Sequence, residues 1–299
     1  MNFKTFGDAY KYVNRLILDE GLVVEGTSNP LSVGSSFGKK PRPTNELLAL
    51  QFTVTNPRIR SFSSEYRNLN RPFLLANFLW TLLAEKNASN ILKFNQFGQS
   101  FLDQRGELNS AIGPHLFKRT GKSRMQFDMI ASRLQSNPTT RRAVIQLFSK
   151  SEIENEVLDM PCFNHIQFFV REGKLCCIVV MRSQSSFMVL PYDFFLFSII
   201  HEAMAVRINM KLGSIMYHSN SIHIYHDEFS RAEHVLNGNL YDSEDEPMKA
   251  FDNATIDELC IVFNQLSKNQ EKLSSWGSEL LRNSKLDDYW KGMISKYLF

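Results

Sequence analysis

The stretch DMPCFNHIQFFVREGKLCCIVVMRS, residues 159–183, decides the class of fold. Two runs of apolar and β-branched residues flank Glu172-Gly173, the pattern of a β-hairpin with a tight turn. On the second strand the adjacent Cys176 and Cys177 point to opposite faces and read as small packing residues. Cys162 differs. It follows Pro161 at the mouth of the first strand, where a side chain can reach a cleft, and arginine-bearing segments lie nearby in sequence. Cationic neighbours raise the thiolate fraction of a cysteine and make it a nucleophile.

Upstream, RRAVIQLF reads as a further strand. DMIASRLQSNP is a short amphipathic helix stopped by Asn137-Pro138, and PFLLANFLWTLLAEKN is a buried helix that NILKFNQFGQSF continues. LLALQFTVTNP alternates as a strand, preceded by a loop rich in Gly, Ser, Pro and Lys; the first residues have helical spacing at Phe6, Tyr10, Val13 and Ile17. Downstream, YDFFLFSIIHEAMAVRINMKLG has helix length and period, with Gly213 as its cap. GSIMYHSNSIHIYHDE is a strand, HDEFSRAEHVLNG a helix, YDSEDEP an acidic loop and ELCIVF strand-like, before a final charged helix around Trp276 and Trp290. Strands and helices mix without repeat or linker, so the expectation is one α+β domain over 1–299 with a large mixed sheet and flanking helices.

With 299 residues, 43% of them hydrophobic, the chain can bury a full core. Its 34 basic and 31 acidic residues leave a charge of +3, too small a bias to indicate a nucleic-acid surface. The four cysteines have no zinc or disulfide spacing, so no metal is expected and a reducing, cytoplasmic setting fits. The N-terminus lacks the apolar core of a signal peptide, and no stretch reaches the ~18 apolar residues of a membrane span.

Several polar residues stand out. Arg141 and Arg142 open a strand and project to opposite sides, so they cannot both face one small ligand in the same chain unless the backbone is irregular. Arg182-Ser183 is a guanidinium and hydroxyl pair suited to phosphate. Asp193 opens an apolar helix, where a carboxylate is most often a cap or dipole partner. His223 and Tyr225 share one strand face and can hold a sugar hydroxyl or complete a core network.

In order, Arg-Arg, Pro-Cys, Arg-Ser, Leu-Pro-Tyr-Asp and His-Ile-Tyr resemble the thymidylate synthase family, which includes the pyrimidine nucleotide hydroxymethylases. The resemblance runs from the first helix to about Asp227, leaving a divergent extension from about 228. It implies a thymidylate synthase-like fold and a homodimer whose phosphate sites each borrow Arg141 and Arg142 from the partner. Arg182 and Ser183 then bind phosphate within the same subunit, with Arg42 as a further cation and Lys40 as a weaker choice. Gln167 and Ser183 line the pocket, and His223 and Tyr225 hold the 3′-hydroxyl.

Cys162 is then the nucleophile that adds to carbon 6 of a pyrimidine, so that carbon 5 can attack a one-carbon unit from 5,10-methylenetetrahydrofolate. Asp193, where dUMP-using synthases carry Asn, implies dCMP or CMP: a neutral acid donates to cytosine N3, and a carboxylate accepts from a base protonated there. The expected activity is C5 hydroxymethyl transfer, with dUMP methylation as one alternative and a nucleotide-binding homologue of changed folate chemistry as another. Asn77 stands for the family's catalytic Glu, in the helix that also brings Trp80 to the folate. Ser185 and Val189 stand for a pterin-side Asp and Gly, Phe163 for a His after the cysteine, and Ser221 for an Asp before His-Ile-Tyr.

Overall fold

The computed structural model describes residues 1–25, 42–118, 125–154, 159–269 and 273–299. Lys40 and most of the Gly/Ser/Pro/Lys-rich loop lie outside them. The strands are β1 (Asn2–Phe3), β2 (Leu22–Val24), β3 (Thr44–Val54), β4 (Ile59–Ser63), β5 (Val144–Gln146), β6 (Phe163–Arg171), β7 (Lys174–Met181), β8 (Gln184–Ser185), β9 (Lys211–Tyr225) and β10 (Tyr241–Glu244). The helices are α1 (Phe6–Glu20), α2 (Arg71–Leu82), α3 (Gly113–Phe117), α4 (Gln126–Ser136), α5 (Lys150–Glu154), α6 (Leu190–Arg207), α7 (Phe229–Asn237), α8 (Asn253–Lys268), α9 (Leu273–Asn283) and α10 (Asp288–Leu298).

An eight-stranded mixed sheet runs β1-β3-β9-β7-β6-β5, with β2 added to β3 and β8 to β9. β6 and β7 form the expected hairpin, and its turn residues Glu172 and Gly173 both have positive φ, 52° and 70°. One face of the hairpin is buried through Ile166, Phe168, Leu175, Cys177, Val179 and Met181. α6 covers that face: Phe163 meets Phe197 edge-on at 5.3 Å, and Phe194 and Phe197 lie beside Tyr217. α6 is apolar nearly all round because it is buried nearly all round, with α2 packed against it and α8 and α10 against α2.

Alternation in β3 and β9 breaks at one level. In β9 the buried residues are odd up to Ser219 and even from Ile222; in β3 Leu50, Phe52 and Val54 are buried while Leu48 is exposed. Ala49, at φ 55°, and Asn220 sit at the break, flanked by the pairs Leu48↔Ser221 and Leu50↔Ser219. The strands change face together, without losing register.

A buried ionic cluster ties the C-terminal segment to this core. Arg60, fully buried on β4, meets Glu202 of α6 at 2.5 Å and Asp245 at 3.2 Å; Lys296 and Tyr297 of α10 reach Asp245 at 2.6 and 3.0 Å. Desolvation of these charges is offset only because each carboxylate has cationic partners.

Five sequence expectations need correction. The single final helix expected around Trp276 and Trp290 is two, α9 and α10, the second opened by an Asp287 side-chain cap. ELCIVF lies inside helix α8, whose buried residues Ile256, Leu259, Val262, Phe263 and Leu266 follow a helical period over a span no six-residue run reveals. YDSE is strand β10, paired with β4. NILKFNQFGQSF forms two 3₁₀ segments, Ile91–Lys93 and Gln96–Phe101, instead of continuing α2. Gly213 caps no helix, since α6 ends before Ile208; it lies in β9, where a Cβ would come within 2.6 Å of the Leu175 carbonyl.

Candidate active site

Cys162 precedes β6 beside the end of β7, and Arg182 locks the two together. The Arg182 backbone N–H donates to the Cys162 carbonyl at 2.9 Å; its side chain donates to the carbonyls of Pro161 (2.8 Å) and Met160 (2.9 Å). Burial pushes the Cys162 thiol up to about 11, Arg182 pulls it back, and Asp193 and Asp159 push it further up. The free protein therefore holds a neutral thiol, with Arg182 as the charge that opposes burial.

Asp193 comes from the first turn of α6, which Pro191 opens. It caps nothing. Gln184 Nε2 donates to Asp193 Oδ2 at 3.0 Å, and the Tyr217 hydroxyl donates to Gln184 Oε1 at 2.6 Å. Burial raises the Asp193 carboxyl to about 7 against the pull of the Gln184 hydrogen bond, so this acid titrates near neutrality.

At the far end of β9, His223 and Tyr225 meet edge-on at 5.1 Å, and the Arg42 guanidinium stacks on Tyr225 at 3.8 Å. Arg42 also forms a double hydrogen bond with Asp227, at 2.7 and 2.9 Å from Nη2. Burial lowers His223 to about 4, leaving the imidazole neutral as a hydrogen-bonding group. Burial raises the Tyr225 hydroxyl, Arg42 opposes it, and the Cys162 thiol adds to it, so Tyr225 and Cys162 share one electrostatic neighbourhood. Ser221 donates to Glu46 Oε1.

The predicted residues thus divide. Cys162, Arg182 and Asp193 come together, and Arg42, His223 and Tyr225 form the adjoining end, with Ser183 half-buried between β7 and β8. Arg141, Arg142 and Gln167 do not join them within this chain. Both arginines are exposed, and Gln167 lies on the sheet face opposite Ile166 and Phe168, donating to the Arg141 carbonyl at 2.9 Å. Strand alternation turns its side chain to that face.

On the expected folate side, Asn77 is half-buried in α2, and the Trp80 indole N–H is engaged by the Asn87 carbonyl at 2.9 Å. Tyr192, next to Asp193, accepts from the backbone N–H of Asn70, the cap of α2, at 3.0 Å and so sets α2 against α6. The Ser185 hydroxyl is buried without a partner among the described residues, and Val189 stands half-buried just before α6. Gln184 and Tyr217 were not marked by sequence reasoning. The available signal was a long amide set between two serines in a segment already assigned to the site.

The family model for thymidylate synthase matches residues 65–272, well over half of the chain. The chain belongs to the thymidylate synthase family. The family match continues past Asp227 through α7 and α8. A thymidylate synthase of Vesicomyosocius okutanii subsp. Calyptogena okutanii (strain HA) is 24% identical over 171 residues, 56% of this chain and 64% of that protein. The deoxyuridylate hydroxymethyltransferase of Bacillus phage SP01 is 25% identical over 219 residues, 70% of this chain and 57% of that protein. These matched regions span less than two thirds of either relative. The thermostable thymidylate synthase A from Bacillus subtilis has the same fold, with a TM-score of 0.67 at 20% identity, covering 85% of this chain and 93% of that one.

Proposed function

We propose that this thymidylate synthase family chain is a C5 hydroxymethyltransferase acting on a cytidine monophosphate, dCMP or CMP. The observation that carries the proposal is Asp193, a buried acid titrating at about 7 in the same electrostatic neighbourhood as Cys162. A neutral acid donates to cytosine N3 and opposes the N3–H of uracil; a mismatch leaves buried polar groups unpaired at about 1–3 kcal/mol each.

Arg182 holds the thiol loop and, with Ser183, faces the phosphate; His223 and Tyr225 hold the sugar, and Arg42 swings from Asp227 to the ligand. Cys162 adds to carbon 6 of the pyrimidine after losing its proton, and carbon 5 becomes nucleophilic. 5,10-Methylenetetrahydrofolate, when bound, supplies the one-carbon unit. Its fit rests on the buried Ser185 hydroxyl, which has no partner among the described residues and is a hydrogen-bonding group for a pterin, with half-buried Val189 as apolar surface; Trp80 is buried in the core and supports that side from behind. Asn77 orients water by hydrogen bonds and relays no proton, so the water that adds to the exocyclic methylene to give the hydroxymethyl group passes its proton to solvent.

The working unit is a homodimer in a reducing cytoplasm. β7 reads CCIVVM, apolar on both faces, while this chain buries only one. A second copy on the other face brings exposed Arg141 and Arg142 of each protomer to its partner's phosphate site, consistent with their absence from the site in one chain.

A second reading, dUMP as substrate, is favoured by the name of the phage relative. Incubation with dCMP, CMP or dUMP and the folate, followed by mass spectrometry, separates the two. Hydroxymethyl gain on a cytidine nucleotide is expected, and gain on dUMP alone would sink the proposal. Tritium release from carbon 5, present in wild type and absent in Cys162→Ser, is the companion result; no release from wild type would indicate a nucleotide-binding homologue.

A further inference from the structure

We propose that Tyr217 is a positioning residue for base selection: through Gln184 it holds Asp193 with Oδ2 as acceptor, so that Oδ1 alone reads the pyrimidine. This deepens the cytidine nucleotide proposal above and rests on it. The geometry is tightly determined. Gln184 Nε2 donates both to Asp193 Oδ2 at 3.0 Å and to the Ser185 carbonyl at 3.3 Å, while Oε1 accepts from the Tyr217 hydroxyl at 2.6 Å.

A backbone carbonyl only accepts, so the amide nitrogen must face Ser185, and the amide cannot be turned over without setting two oxygens against each other. Gln184 and Tyr217 are 2% and 1% exposed, so both are shielded from bulk solvent and a mispaired amide there is costly. Among the described residues Asp193 Oδ1 has no hydrogen-bond partner. The groups that act with Asp193 are Cys162 before β6 and Tyr217 on β9, and Arg182 after β7 acts on the same thiol.

When Asp193 is neutral, its proton must sit on Oδ1, because Oδ2 already accepts from Gln184. Oδ1–H then donates to the bare N3 of cytosine and meets the N3–H of uracil donor to donor. Without the Tyr217–Gln184 clamp, the proton moves to Oδ2, Oδ1 becomes a carbonyl oxygen, and uracil is accepted as well. The clamp turns an acid that suits either base into one that distinguishes them.

The test is titration calorimetry of dCMP and dUMP at pH 6 with wild type, Tyr217→Phe, Gln184→Met and Asp193→Asn. Both nucleotides share sugar and phosphate, so the ratio of their affinities isolates the base. Wild type should favour dCMP, and Tyr217→Phe and Gln184→Met should each lower that ratio about tenfold, chiefly by tightening dUMP. If Asp193→Asn moves the ratio while both other variants keep the wild-type ratio, or weaken both nucleotides equally, the clamp is overturned and the cytidine proposal stands. If Asp193→Asn leaves the ratio unchanged, Asp193 does not read the base and both fail. Should Tyr217→Phe not fold, Gln184→Met, which keeps side-chain length, decides alone.

Discussion

Arg182 donates its backbone N–H to the Cys162 carbonyl at 2.9 Å and covers the two preceding carbonyls with its guanidinium. One residue thus fixes the loop beneath the thiol and provides the positive charge that opposes the thiol's burial.

Arg182→Ala should therefore raise the Cys162 pKa further. A rise of about one unit means about tenfold less thiolate at any pH below the midpoint. Iodoacetamide alkylation between pH 7 and 10 measures this, with Cys162→Ser reporting the reaction of the other three thiols so that it can be subtracted. An unchanged rate would show that Arg182 acts on the loop alone.

Asp193 makes stability depend on pH. Its folded pKa, about 7, lies above its ordinary 3.8, so the stability it contributes is fully present below about pH 4 and is lost as pH rises through 7. At about 1.4 kcal/mol per pKa unit the loss is on the order of 4 kcal/mol. Asp193→Asn should be the more stable protein at pH 8 and lose its advantage towards pH 4, as followed by urea denaturation.

A shared site predicts complementation. Arg141→Ala with Arg142→Ala, and Cys162→Ser, should each be inactive alone. After subunit exchange, half the dimers are mixed and each holds one intact site, so about a quarter of wild-type activity should return. Persistent inactivity of the mixture would place the arginines in the same chain's site or outside it.

Glu202→Gln should cost about 3–5 kcal/mol, because it leaves the fully buried Arg60 without its nearest carboxylate. Chemical denaturation measures the loss. Replacing the exposed partner Arg105 of Asp103 should change stability by less than about 1 kcal/mol.

The hairpin, α2, α6 and β9 are legible because each is long and apolar enough for period or composition to identify it. ELCIVF was not: a six-residue apolar run suits a strand and a helix equally, and only the surface presented by α2 makes it a helix. YDSE has no alternation and owes its strand form to a distant partner, β4. The site divides in the same way. Cys162, Asp193, His223 and Tyr225 stand in motifs along the chain. The Tyr217–Gln184–Asp193 hydrogen bonds join three elements, and nothing in the spacing of the three residues encodes that meeting. Gln167 lies on the other face of the sheet because a strand residue next to buried neighbours turns away from them.

The shared break in β3 and β9 restricts how this lineage can gain or lose residues. Deleting Ala49 alone would move Thr44–Leu48 out of step with Ser221–Tyr225, and deleting Asn220 alone would set Tyr217 and His223 on the wrong sides relative to each other. Either single deletion separates the Tyr217 end of β9 from its His223–Tyr225 end. Viable relatives should therefore carry both extra residues or neither, and length variation at these two distant positions should be inherited as a pair.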